Sequence, residues 1–288
     1  MRLMRVAQRG LPVPCIEDED SRVYDLSGEV LDWSGSFLDP SFLMNLEIEV
    51  ARKRPELPRM DVSRCKVLPP FTPSQIFSIG LNYSDHIQEA KMEAPPEPII
   101  SSKSHLSIAG AYDDIILPPN SSKVDWEVEL GVVIGRRAQY LESVADAWAH
   151  IAGYCTANDL SERDWLLNRN GQWIKGKSCE SFSPVGPYLV TRGSIDNPDN
   201  LQLICSVNGS VQQSSSTVHM LFPASYLVFY ISQFMILEPG DLIMTGSPGG
   251  MALGRDNPRY LQPGDVVETE VQGLGRQVQV CRNYQRSR

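Results

Sequence analysis

No stretch of this chain is long and apolar enough to cross a bilayer. The most apolar run, Tyr226 to Leu237, is broken by Ser232 and Gln233 and falls well short of the roughly 20 residues a membrane helix needs. Met1-Arg2-Leu3-Met4-Arg5 lacks the apolar core of a signal peptide. Cysteine is sparse and scattered. The six, Cys15, Cys65, Cys155, Cys179, Cys205 and Cys281, form no C-x-x-C pair, so neither a zinc ribbon nor a disulfide framework is expected. Free thiols fit a reducing, cytoplasmic setting. Positive charge is in deficit: the net charge of −9 argues against nucleic-acid binding, which calls for a basic footprint, and disfavours adhesion to anionic membrane surfaces. There is no heptad array, no low-complexity tail and no G-x-x-x-x-G-K phosphate loop.

What is present is an ordinary globular composition, 42% hydrophobic over 288 residues, enough for one large domain or two unequal ones. Residues 1–70 read as a small unit: short strands at Leu3 to Val6 and Arg22 to Leu26 around the acidic Glu17-Asp18-Glu19-Asp20, then a helix through Phe42, Leu43, Leu46 and Val50 capped by Asp39 or Ser41. Pro55, Pro58, Pro69, Pro70 and Pro73 read as a linker. Residues 71–288 read as short strands, at Ile76–Leu81, Ile115–Leu117, Glu127–Ile134, Gly186–Val190, Leu201–Val207, Asp241–Thr245 and Val266–Val271, with helices at Ser143–Ala149 and Phe222–Gln233. Many short strands with Gly/Pro turns point to a barrel, roll or sandwich. Pro-Gly-Asp, at Pro239 and again at Pro263, predicts two tight turns with glycine in the left-handed position.

The chemistry concentrates in a few clusters. In Asp125-Trp126-Glu127-Val128-Glu129-Leu130, read as a strand, the three acids share one face. The following Gly131-Val132-Val133-Ile134 is apolar on both faces, so the acids stand where a strand enters a core. Buried charges are paired or bind metals; these acids either hold a hard cation or line a wet strand face. Asp159 follows the apolar run Ile151 to Ala157 and is either a third oxygen ligand or a helix cap. His86 and Glu89, three apart on a predicted helix, are either a base oriented by a carboxylate or a surface pair. Lys177, between Gly176 and Ser178, either points into a cleft or faces solvent. The loop Thr245-Gly246-Ser247 offers N–H groups and hydroxyls that can grip a carboxylate, or is a plain connection.

The order of these clusters resembles the fumarylacetoacetate hydrolase family over roughly residues 75 to 280. The resemblance is carried by Gly80-Leu-Asn-Tyr-Ser-Asp-His86, the Pro95 to Lys103 region, Asp125-Trp-Glu-Val-Glu129, Gly153 to Asp159, Gly176-Lys177-Ser178, Gly186-Pro187, Val207-Asn208-Gly209 and Pro239-Gly-Asp241 through Gly246. It implies an α+β, mainly β fold, a mixed β-roll with a small N-terminal α/β domain, assembled as a homodimer. It implies Mg²⁺ or Mn²⁺ held by Glu127, Glu129 and Asp159; oxygen-only ligands independently favour these ions, or Ca²⁺, over zinc. It implies catalytic roles for His86, Glu89 and Lys177, with His86 and Glu89 activating water, and substrate contacts at Arg163, Gln172, Lys103, Thr245, Gly246 and Ser247. The segment Leu166 to Lys175 resembles a lid.

The activity so implied is hydrolysis of a carbon–carbon bond in a small 2-oxo acid, a 2,4-diketo acid such as an acylpyruvate or a diketo-deoxy sugar acid, through an enolate. An isomerase, hydratase or oxaloacetate decarboxylase on the same site is the alternative. Ser101 and Leu166 stand where the family more often has Phe and Gln. Ser181 and Ser247 replace threonines, and Gly249-Gly250-Met251 replaces Pro-Gly-Val. The expected ligand set is intact and the expected substrate pocket altered.

Overall fold

The computed structural model describes residues 1–286. Strands dominate, as expected for an α+β, mainly β chain, and they form two principal sheets. In the larger, the order along the main path is Arg59–Met60, Val23–Asp25, Leu11–Glu17, Arg2–Gln8, Leu189–Thr191, Ile151–Asn158, Val128–Ile134, Leu242–Met244, Ile76–Gly80 and Ile99–Lys103. The smaller runs Ser210–Ser216, Gln202–Val207, Val266–Val271, Gly275–Asn283 and Ile115–Leu117. Most neighbours are antiparallel, while Leu242–Met244 runs parallel to Ile76–Gly80 and Gly275–Asn283 parallel to Ile115–Leu117, so the roll is mixed.

The strand Val128–Ile134 is the spine. Val128, Leu130, Val132 and Ile134 face a core shared with Leu203, Val207 and Val271 of the second sheet. Val133, on the opposite face, joins a second core with Cys155, Leu189 and Leu242. Period-two alternation thus sends this strand's side chains into two interiors, which is why it is apolar on both faces. Gly131 is required by close packing, since a Cβ there would fall 2.7 Å from Cys155 Sγ. Gly240 and Gly264 have φ of +97° and +91° in the two Pro-Gly-Asp turns, the left-handed geometry that glycine adopts without steric cost.

Two sequence expectations shift. The acidic strand is not continuous: Val124–Asp125 pairs separately with Ser161–Glu162, and the ladder resumes only at Val128. Glu127 N–H donates to the Asn158 side chain at 3.0 Å, so a side-chain amide takes the place of a strand neighbour there. The N-terminal residues also contain a further strand, Leu11–Glu17, and they join the large sheet directly, Arg2–Gln8 pairing with Leu189–Thr191. The helix Pro40–Lys53 is capped by Asp39, whose carboxylate accepts the Ser41 and Phe42 N–H groups. No helix among the described residues is long and apolar enough to cross a membrane.

Candidate active site

Three elements bring three carboxylates together. Glu129 rides on the Val128–Ile134 strand, Glu127 sits in the break just before it, and Asp159 follows the end of the neighbouring Ile151–Asn158 strand. All three are buried, and one oxygen from each lies within 4.8 Å of the others. Lys177, in the last turn of the short helix Ile174–Lys177, donates to Glu127 Oε2 at 2.9 Å, Asp159 Oδ2 at 2.5 Å and Ser161 Oγ at 3.0 Å. Arg163 opens the helix Arg163–Asn168 and bridges Glu127 Oε1 (2.7 Å) and Asp125 Oδ2 (2.9 Å). Lys103 pairs with the other Asp159 oxygen.

Three cations therefore face four buried carboxylates, and the shortfall falls on Glu129. Its Oε2 accepts only the Gly246 N–H, at 2.8 Å. Burial, with Asp159 and Glu127 nearby, pushes its carboxyl well above the usual range. Glu127 shows the reverse: burial pushes it up, but the Arg163 and Lys177 charges outweigh this and hold it down at about 2. The two lysines on Asp159 also diverge. Burial pulls Lys103 down despite its one carboxylate. Lys177 suffers the same burial, yet Asp159 and Glu127 together raise it.

Above the triad lies a cavity of about 180 Å³, smaller than the roughly 300–1,000 Å³ of drug-sized sites. Glu127, Glu129, Lys177 and His86 form its polar side; Leu166, Leu167, Met251 and Leu253 form much of its apolar side. His86 lies on the helix Ser84–Ala90, and its Nδ1 is buried without a hydrogen-bond partner. Burial lowers its pKa, against the opposing pull of Glu127, and so favours the neutral ring. Ser247 lines the cavity as well, its hydroxyl donating to Val128 C=O at 3.0 Å.

Other expected contacts lie elsewhere. Glu89 does not bond His86; its Oε2 accepts the Gly250 N–H at 2.7 Å. Lys103 is fully enclosed, held by Asp159 and by the Phe182 carbonyl at 2.7 Å, and so positions the Asp159 carboxylate without reaching the cavity. Thr245 Oγ1 donates to Leu130 C=O at 2.9 Å, which closes the strand pairing. Gly246, with φ +99°, turns its N–H onto Glu129. Arg163 borders the cavity, but Asp125 and Glu127 engage its guanidinium. Gln172 lies outside, in a separate cleft. Asp125 stands beneath the site and accepts N–H groups from Ala252 and Leu253, both at 2.9 Å, as well as Arg163. Its place beside Glu127 was legible; its role as the anchor of Arg163 was not, because residues far apart in sequence define it.

These residues suit a divalent cation. The donors are all carboxylate oxygens, the preference of hard ions. Glu129 is a buried carboxylate lacking a cationic partner among the described residues, the condition a bound cation relieves.

The family profile described as fumarylacetoacetate (FAA) hydrolase C-terminal matches residues 75–281. Among curated relatives, the mitochondrial oxaloacetate tautomerase FAHD2A of Bos taurus is 48% identical over 228 residues, 78% of this chain and 71% of that protein. Among solved structures, fumarylacetoacetate hydrolase from Exiguobacterium antarcticum superposes with a TM-score of 0.83 at 29% identity, covering 99% of this chain and all of that one. Maleylpyruvate hydrolase from Sphingobium sp. SYK-6, solved with manganese(II) and pyruvate, shares the fold, with a TM-score of 0.80 at 21% identity over 99% of this chain and 100% of that one.

Proposed function

This chain belongs to the fumarylacetoacetate hydrolase family of enzymes acting on small molecules, and we propose that it interconverts the enol and keto forms of a small 2-oxo acid, oxaloacetate being the first candidate. The observation that carries this is the state of the acid–base pair. His86 presents a ring with an unpartnered nitrogen beside the triad, while Glu89, the partner a water-activating dyad needs, is engaged by Gly250. The name of the 48% identical relative supports the same reaction.

Glu127, Glu129 and Asp159 would hold Mg²⁺ or Mn²⁺, which when bound supplies Lewis-acid polarisation of a substrate 2-oxo group. Lys177 and Arg163 fix the orientation of Glu127, and Lys177 and Lys103 that of Asp159. His86 takes the enol hydroxyl proton onto a ring nitrogen and returns it to C3, so the C2–O group becomes a carbonyl and C3 gains a hydrogen. General acid–base transfer of this kind contributes about 10²–10⁴-fold. Leu166, Leu167, Met251 and Leu253 keep water from C2 and C4 while the proton moves.

Hydrolysis of a 2,4-diketo acid is the second reading. It is favoured by the i, i+3 placement of Glu89 and His86 on one helix, with Glu89 itself exposed, which would let Glu89 leave Gly250 and orient the ring. Decay of enol-oxaloacetate absorbance and release of pyruvate from acetylpyruvate, measured with Mg²⁺ present, separate the two. Tautomerisation accelerated in wild type and reduced by about 10² or more in His86→Gln is the expected result; pyruvate release without enol decay would replace this function with hydrolysis.

A further inference from the structure

The active cavity has a neighbour. Beyond the Trp173 ring lies an open cleft of about 490 Å³ walled by Phe77, Ile99, Ile100, Gln172 and Met235. Trp173 lines both spaces. Its indole rests on the backbone of Gly80: a Cβ built there would stand 2.6 Å from the ring's Cζ3, so a residue with a side chain would unseat it. The backbone of Trp173 is fixed independently, its carbonyl accepting Gly176 N–H at 2.9 Å and Lys177 N–H at 3.2 Å. The ring itself is only half-buried, and the four residues before it, Arg169 to Gln172, are exposed. The partition is thus a single side chain on an anchored backbone.

Resting on the 2-oxo acid function above, we propose that Trp173 sets the length of acid the site accepts. With the ring seated on Gly80, the active cavity ends at the indole. Without the ring, the cavity opens into the outer cleft, where Phe77, Ile99, Ile100 and Met235 offer an apolar surface to an aliphatic tail. Burial of each added methylene strengthens binding by about fourfold, so the gain with length is measurable by binding alone.

The test is titration calorimetry of full-length wild type, Trp173→Ala and Trp173→Leu with pyruvate and with 2-oxooctanoate, Mg²⁺ supplied throughout. In wild type the long acid binds more weakly than the short one. In Trp173→Ala the ratio of the two Kd values shifts by about tenfold or more toward the long acid, while the pyruvate Kd moves by less than about threefold. Trp173→Leu shifts the ratio partway and provides the measurement if the alanine variant does not fold. Wild-type ratios in both variants, with pyruvate still bound, overturn the role of Trp173 alone. Failure of wild type to bind either acid overturns the 2-oxo acid function and this role with it.

Discussion

Glu129 concentrates the electrostatic tension of the site. It is buried, carries no cationic partner among the described residues, and accepts one backbone N–H. In metal-free protein, Glu129→Gln should be at least as stable as wild type to heat, because the amide keeps an acceptor for Gly246 and removes a charge that burial disfavours. With Mg²⁺ at about a hundredfold excess over its Kd, wild type should gain about 2.7 kcal/mol and the variant far less. An equal gain in both would place the ion elsewhere. His86 gives a pH test. Its folded pKa lies below 6.5, so the unfolded chain takes up the proton first as pH falls. The stability tied to the neutral ring is full above about 6.5 and drains away as pH drops through the lowered folded value. The difference in urea midpoint between wild type and His86→Gln should shrink across that range; a difference independent of pH would mean that the ring does not titrate as placed. The identities of these residues were legible from their order in the chain. Their partners were not, because Glu89 is taken by a backbone amide of a distant loop, and no periodicity encodes such a contact.

At the scale of elements, the helix Ser84–Ala90 has only seven residues, too few to persist alone. It is stitched down by Asp85 to Ser215 Oγ at 2.5 Å and to Gly249 N–H at 3.3 Å, and by Glu89 to Gly250 N–H at 2.7 Å. Glu89→Ala should free the Gly250 amide at a cost of about 1 kcal/mol, speeding its hydrogen exchange roughly fivefold. Exchange unchanged at Gly250 would show that the Glu89 carboxylate does not hold that amide. Elements whose pattern matches their burial were readable: Val266–Val271 stands at the expected bounds with alternating burial, and the strand expected over Glu127–Ile134 starts one residue later, at Val128. The Leu11–Glu17 strand was hidden by Pro12 and Pro14, which ordinarily demote a strand. The two prolines share one parity, so their missing N–H groups face one edge, and on that edge the Val23–Asp25 strand pairs only from Cys15 onward.

At the scale of the molecule, the sequence reads residues 1–70 as a unit of their own. Proline density argued for a linker after them, and the family profile begins at residue 75. Yet Leu3, Ile16, Tyr24 and Trp33 occupy one continuous core with Val133, Leu189 and Leu242 of the later chain. Trp33 is fully buried there, its Nε1 donating to Met4 C=O at 2.9 Å. The buried Arg5 ties Asp32 at 2.9 Å to the proline-rich passage through Pro69 C=O at 2.7 Å and Thr72 Oγ1 at 2.9 Å. A shared sheet and a shared core cannot melt in halves without exposing an apolar face and an unpaired edge at Leu189–Thr191. We therefore expect residues 1–70 and the carboxylate cluster to unfold together. Hydrogen exchange in rising guanidinium should show peptides from Arg2–Gln8 and Val128–Ile134 losing protection at one midpoint. A chain lacking residues 1–70 should be insoluble. If instead the N-terminal peptides exchange at distinctly lower denaturant while Val128–Ile134 stays protected, the first 70 residues are a separable domain and the continuous core does not make the two halves cooperative.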